Sequence, residues 1–462
     1  MTPPRSLPPV PTALHQPRAE RPRVDHSRVD QSRVDQSLRR ILFVIPALHG
    51  GGAEFVARTW MGWLADQGYE VRVVLTAGVV LPEYLPGGVT ARSLVDQHGH
   101  IAKTAALRRS LLDWQPDVAV SLQVYPNLVL LAAARLLPER LRPRVLVSER
   151  NLVSLGLPGS SQSHRFKIWI AQHAYRWADH VIAISHPVAA EMVAAFGVRA
   201  GRITVVANPA TAKLRGTPRG QGTTVAGAVI VAGAGTEVGA EVGAEMGAEV
   251  GPVLRAGADS AAVLVEAEGG TGTGTGTIVA PPTRRPGSAN GIQIVLACRL
   301  VEQKRPLLAI EAAAELARRG VAVTVVSFGG GPLLGDVQAA ARQANVTFHH
   351  RGWVENWFDH FGDNAVALLT SSREGFGNVL VEAAAAGYPS VAVSGALGVA
   401  DAIVPGITGE LALSAHPVDL ADAILRAADL PLTHIEPWLA RFSEQSSGAD
   451  LERVLTRTLE RA

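Results

Sequence analysis

Ile41-Leu-Phe-Val-Ile45, followed by Gly50-Gly-Gly52 and then by helically spaced apolar residues from 53 to about 65, decides the fold class of this chain. An unbroken apolar run of five residues suits a parallel strand buried on both faces, and a glycine-rich turn suits the passage from such a strand into a helix. The same beat recurs downstream. Strands at 71–75, 118–122, 145–148 and 181–184 alternate with helices at about 104–114, 127–137, 164–177 and 188–195. A second series starts at Ile292, with strands at 292–297, 321–327, 346–350, 366–369 and 390–393 and helices at 306–318, 333–344 and 379–386. Helices at about 417–428 and 448–460 finish the chain. Alternation of this kind predicts two doubly wound α/β domains facing a cleft, where strand C-termini and helix N-termini converge.

Composition agrees with two domains. The chain has 462 residues, 47% of them apolar and 18% charged, enough for two full cores. A formal net charge of +2 carries no global signature of nucleic-acid binding. The single cysteine, Cys298, excludes an internal disulfide framework, fits a reducing compartment and reads as a buried structural thiol. Apolar runs are too short to span a bilayer; the nearest, 128–137, carries Arg135. Residues 1–37 repeat Arg23-Val-Asp-His-Ser, Arg28-Val-Asp-Gln-Ser and Arg33-Val-Asp-Gln-Ser and lack the apolar stretch of a secretory signal, so a disordered arm and a cytoplasmic location are expected. Periodicity also fails across 211–290, where Gly-Ala-Glu-Val units and Thr271-Gly-Thr-Gly-Thr-Gly-Thr277 predict a flexible insertion. The expected division is an arm at 1–37, an N-domain at 38–210, the insertion at 211–290, a C-domain at 291–433, and helices at 434–462 returning toward the N-domain.

The C-domain loops carry the chemistry. Arg299 and Lys304 follow its first strand, at the edge where open sheets bind ligands, and two cations there suit a diphosphate. Farther on, Ser371-Ser-Arg-Glu-Gly-Phe-Gly-Asn-Val-Leu-Val-Glu-Ala383 puts Glu374 in a glycine-rich turn and Glu382 on the helix after it. Gly375 and Gly377 would let the backbone approach a ligand, and the helix N-terminus offers N–H groups to phosphate oxygens. Glu374 is placed to meet sugar hydroxyls. Glu382 is flanked by Val381 and Ala383 on a mostly apolar helix, which suits a carboxylate gripping a diol such as ribose better than a solvated face.

These pieces resemble the family 4 retaining glycosyltransferases, which have the GT-B fold. The resemblance rests on Gly51-Gly-Ala-Glu54, Gln115-Pro-Asp-Val118, Val181-Ile-Ala-Ile-Ser-His186, Val205-Val-Ala-Asn-Pro209, Arg299 with Lys304, and the Glu374-x7-Glu382 pair, in the family's order. It implies a nucleotide-diphosphate sugar, with a UDP-sugar favoured, as donor. Arg299 and Lys304 would neutralise the departing diphosphate, Glu382 would hold the ribose, and Glu374 with the amides of Gly375, Phe376, Gly377 and Asn378 would fix the transferred hexose or N-acetylhexosamine. Gly51 and Gly52 would open the first helix toward the donor phosphates or sugar.

Within the family, Ser148-Glu149-Arg150-Asn151 is most similar to bacterial enzymes of lipid-linked glycan or exopolysaccharide assembly, which implies a glycan or polyprenyl-diphosphate-linked acceptor near Glu149, Arg150 and Asn151. Such an acceptor, with Lys103, Arg108, Arg109, Arg165 and Lys167, predicts peripheral contact with anionic membrane at the inner face of the cell. The sequence departs from the family where a histidine often ends the fourth strand. Ser121-Leu-Gln123 stands there, and His98 and His100 read as loop residues upstream. No Asp-x-Asp pair occurs, so neither metal nor other cofactor is expected. A sugar-nucleotide epimerase and an idle sugar-nucleotide-binding protein are the alternative readings.

Overall fold

In the computed structural model the described residues are 39–157, 160–216, 291–354, 356–360, 362 and 364–460. The expected arm at 1–37 and most of the insertion, 217–290, lie outside them.

The N-domain opens with β1 (Arg40–Ile45), α1 (Gly52–Asp66), β2 (Glu70–Leu75) and β3 (Val89–Ser93). It continues through α2 (Gly99–Trp114), β4 (Val118–Leu122), α3 (Val124–Arg135), β5 (Arg144–Glu149) and α4 (Gln162–Ala174) to β6 (His180–Ala183), α5 (His186–Ala194) and β7 (Ile203–Val205). Its seven strands are all parallel, in the order β3-β2-β1-β4-β5-β6-β7. β1 sits between β2 and β4, and its side chains divide between two layers. Leu42 and Val44 pack with Leu107 of α2 and Leu130 of α3, while Ile41, Phe43 and Ile45 pack with Trp60 and Met61 of α1. Burial on both faces is why the run that opens the fold is apolar without a break.

The C-domain comprises β8 (Ile292–Ala297), α6 (Leu307–Arg318), β9 (Val323–Phe328), α7 (Leu334–Gln343), β10 (Thr347–His350), β11 (Ala365–Leu369), α8 (Asn378–Ala385), β12 (Ser390–Val393), β13 (Gly409–Ala412) and α9 (Pro417–Ala428). Its six parallel strands run β10-β9-β8-β11-β12-β13. After α10 (Glu436–Ala440) comes α11 (Glu444–Glu460). α11 lies on α1 and places Leu451 and Leu455 in the N-domain core. Ser447 Oγ accepts the Trp60 indole N–H at 2.8 Å, and a Cβ on Gly448 would stand 2.3 Å from the Trp63 ring. One apolar cluster joins the domains, with Leu152, Ile184 and Val188 against Leu369, Phe376 and Phe442.

The structure differs from the sequence reading at the sheet edges. β3, β7 and β13 were not expected as strands. All three lie at or near the end of a sheet, and β3 alternates buried and exposed residues where a central strand is apolar throughout. α2 begins at Gly99, so His98 stays outside the helix as its N-cap, whereas His100 lies in its first turn and not in a loop. Residues 211–216, placed in the insertion by composition, belong instead to a 3₁₀ segment, Ala210–Gly216, held by the Thr211 N–H to Phe442 carbonyl bond of 3.1 Å.

Candidate active site

Strand order reverses between β1 and β4 in one sheet and between β8 and β11 in the other. Helices leaving such a reversal go to opposite faces, and the crevice that opens outside the strand C-termini is where open sheets bind ligands.

On the C-domain side, the loop after β8 carries exposed Arg299 and then a 3₁₀ turn, Glu302–Lys304. The Lys304 ammonium pairs with the Glu374 carboxylate, which also accepts from Ser371 Oγ at 2.5 Å. Arg305, in the left-handed region at φ 45°, donates to the carbonyls of Thr370 and Ser371, both at 2.8 Å, and so ties this loop to the one after β11. Glu374 is 8% exposed, and its N–H donates to the Ala396 carbonyl at 2.9 Å. Cys298 lies beside this loop, where burial pushes its thiol up to about 11, so it stays protonated and unreactive at neutral pH.

The two glycines of the turn serve different ends. Gly377 takes φ 98° as the N-cap of α8, a conformation that L side chains rarely adopt. Gly375 is needed for space, because a Cβ there would stand 2.2 Å from the Arg150 carbonyl oxygen. Its close neighbour is thus the N-domain backbone rather than a ligand. The Phe376 ring is 3% exposed and packs on Phe442, so only its backbone faces the turn. Beyond it, Glu382 is 2% exposed and accepts the Trp357 indole N–H at 2.8 Å and the Lys213 ammonium at 2.6 Å. Lys213 also lies over the Phe55 ring of α1, at 5.2 Å, so the 3₁₀ linker segment stands between the domains.

The N-domain side meets this turn directly. Gly52 would bring a Cβ within 3.0 Å of the Asn378 side-chain nitrogen, and Asn378 accepts from Asn208 Nδ2 at 2.5 Å. Asn208 in turn accepts from the Arg150 guanidinium, which lies 5.2 Å over the Trp60 ring. Burial lowers the Arg150 pKa to about 10, against the opposing pull of Glu149 and Glu54, and leaves it charged at neutral pH. At the start of α1 the Glu54 carboxylate accepts the Gly51 N–H at 3.1 Å and the Gln123 side-chain amide at 2.8 Å. Gln123, at φ 77°, occupies the end of β4 where the family often has histidine.

Two family models match the chain, one per domain: Glycosyltransferase Family 4 over residues 50–212 and Glycosyl transferases group 1 over residues 291–429. The chain belongs to the family 4 glycosyltransferases. Its two Rossmann-like domains make the GT-B fold. Among solved structures it is similar to the lipopolysaccharide outer core galactosyltransferase WaaB in its apo form, at 18% identity and TM-score 0.59, covering 90% of this chain and 99% of that one. Anabaena HepE in complex with UDP matches at 16% identity and TM-score 0.60, covering 90% and 100%. Sucrose-phosphate synthase from Thermosynechococcus elongatus matches at 13% identity and TM-score 0.61, covering 92% and 100%. No curated protein matches by sequence.

In this glycosyltransferase the donor-side residues named from sequence converge: Arg299, Lys304, Glu374, Gly375, Gly377, Asn378 and Glu382 around the C-domain reversal, with Gly51 and Gly52 opposite. The tract named for the acceptor behaves otherwise. Glu149 is 1% exposed and accepts from the Tyr175 hydroxyl and the Arg150 N–H, both at 2.9 Å; Asn127 Nδ2 donates to Tyr175 at 2.8 Å. That burial lifts the Glu149 carboxyl to about 7. Arg150 and Asn151 run beneath Gly375 and form part of the domain joint. Sequence reasoning missed Lys213, Trp357 and Asn208. Asn208 lies in Val205-Val-Ala-Asn-Pro209, but Lys213 falls at the start of the aperiodic stretch, where no strand or helix pattern frames it.

Proposed function

We propose that this glycosyltransferase moves a hexose or N-acetylhexosamine from a UDP-sugar to a glycan or lipid-linked acceptor, with retention of anomeric configuration and without a metal. The observation that carries the reading is the contrast between the two helix N-termini at the cleft. α1 has its own anion there, Glu54 on the Gly51 N–H, so a phosphate would meet a carboxylate. α8 has no side-chain cap and no acidic residue in its first turn, and the Arg299 and Lys304 loop stands beside it. The diphosphate therefore belongs at α8, where helix dipole and two cations stabilise it, and the Gly51 to Gly52 turn faces the sugar.

From that placement the chemistry follows as charge management. The departing phosphate oxygen takes the acceptor's proton on the face it leaves, and Arg299 and Lys304 lower the barrier by stabilising its charge. Glu374 is held by Lys304 and Ser371 to accept from sugar hydroxyls, and Glu382 keeps spare lone pairs for a ribose diol. UDP as the nucleotide is supported by the complex of HepE, which shares the fold.

The test is turnover of a panel of nucleotide sugars with and without acceptor, in wild type and in Arg299→Ala and Lys304→Ala. Each substitution should cost about 3 kcal/mol in kcat/KM, the scale of one lost oxyanion donor. Arg299 is exposed, so its variant should melt like wild type; turnover within threefold of wild type in both variants would sink the assignment. Product analysis distinguishes transfer from epimerisation.

A further inference from the structure

Helix α4 inverts the usual amphipathic arrangement. Its inner face, Ile168, Ala171 and Ala174, is buried in the N-domain core as expected. Its outer stripe, continued through the 3₁₀ turn Tyr175–Trp177, carries Phe166, Trp169, His173 and Trp177 at i, i+3, i+7 and i+11. Such a stripe is ordinarily polar. Here Phe166 is 61% exposed, Trp169 53% and Trp177 50%. Three of the rings form one run, Phe166 stacking on Trp169 at 5.7 Å and Trp169 lying 4.6 Å from His173, and, one turn on, Arg135 of α3 sits 5.3 Å over Trp177. Next to it the end of α3 exposes Leu136 at 61%, with Arg108 donating to its carbonyl at 3.0 Å.

The charge on this surface has one sign. Arg165 and Arg176 are exposed on it, Lys167 is half-buried, and from Ser160 to Ala178 the chain carries no aspartate or glutamate. Lys103, grouped with these cations by sequence, is buried and directed toward the Tyr125 ring, so it does not belong to the surface. A contiguous patch of large rings calls for a cover. A second copy of the chain would set the same cations against one another across a self-complementary contact. An anionic bilayer answers both features, because tryptophan and phenylalanine settle at headgroup level while lysine and arginine meet lipid phosphates.

We propose that the outer face of α4, with Arg135 and Leu136 beside it, docks this enzyme on the surface of an anionic bilayer. The docking stands on the face itself; that it serves a lipid-linked acceptor rests on the function proposed above. The segment joining α4 to the cleft supports that link. It includes the 3₁₀ turn Ser154–Gly156, where a Cβ on Gly156 would stand 3.0 Å from the Arg373 guanidinium of the C-domain loop after β11.

Co-sedimentation of the full chain with phosphatidylcholine vesicles and with vesicles containing phosphatidylglycerol tests the docking. Binding should require the anionic lipid and weaken sharply at high salt. Phe166→Ser with Trp169→Ser should abolish it, and Arg165→Ala with Arg176→Ala should weaken it about fivefold per cation. All four side chains are exposed, so both variants should keep the wild-type melting curve; if the aromatic pair misfolds, the arginine pair decides alone. No binding by wild type, binding unchanged by the variants, or a fall in solution mass on substitution, which would mark a self-association surface, each overturns the proposal. Donor hydrolysis in the absence of lipid, measured in parallel, should be unchanged in the variants. Its absence in wild type would count against the transferase reading and not against the docking.

Discussion

Glu149 ends β5 with its carboxyl almost fully buried and its titration moved from the ordinary 4.5 to about 7, chiefly by loss of water. Between those values the folded protein holds a proton that the unfolded chain has released. Stability should therefore fall as pH rises from about 4.5 to about 7 and level off above. At about 1.4 kcal/mol per unit the loss amounts to about 3 kcal/mol. Glu149→Gln mimics the protonated form, so urea midpoints at pH 5 and pH 8 should lie closer together in the variant than in wild type. An equal spread in both would show that the pH dependence arises elsewhere. This residue also marks the limit of local reading: Ser148-Glu149-Arg150-Asn151 looks like a binding tract, but nothing within it tells that Tyr175 and Arg150 will close over the carboxyl. Arg299, Lys304 and Glu374 were legible as candidates because each follows a strand, and Glu382 because it stands eight residues after Glu374 on an otherwise apolar helix. Lys213 has no such frame.

At the scale of the element, the loop from β11 into α8 combines a conformational demand with a spatial one. Alanine at Gly377 would force a left-handed backbone on an L residue, a cost of about 1 to 2 kcal/mol, and its Cβ would meet only the movable ends of Leu380 and Leu369. Alanine at Gly375 keeps an allowed backbone but drives a methyl into the Arg150 carbonyl, and the two domains would have to part. Gly375→Ala should therefore cost more than Gly377→Ala, about 3 kcal/mol or more as overpacking, and should depress kcat/KM further. Urea denaturation and steady-state kinetics on both variants check the order, and the reverse order would put the domain joint elsewhere. Sequence alone does not separate these glycines, since both read as turn residues open to a ligand and the Arg150 carbonyl over Gly375 is a contact between domains.

At the scale of the molecule, the described residues form two parallel sheets joined by a shared apolar cluster, with α11 crossing from the C-domain to complete the N-domain core. The segment between the domains divides accordingly. Replacing 217–290 with a Gly/Ser linker of about 15 residues should leave fold and turnover nearly unchanged, because loop-closure entropy varies slowly with length. Extending the replacement to 211–290 removes the Thr211 bond to Phe442 and the Lys213 pair with Glu382, and nucleotide affinity should fall. Calorimetric titration of UDP into both variants checks this; equal affinities would show that Lys213 contributes nothing to the donor site. By itself the sequence determined the alternation of central strands and helices, and with it the fold class, because a strand buried on both faces must be apolar throughout. It also singled out Arg299 and Lys304, the residues proposed above to hold the diphosphate, because they follow a strand end. Only the tertiary structure decided the edge strands, the return of α11, the burial of Glu149 and the entry of Lys213 into the cleft. Each of those depends on which distant surface comes to lie against a residue, and such contacts leave no period in the chain.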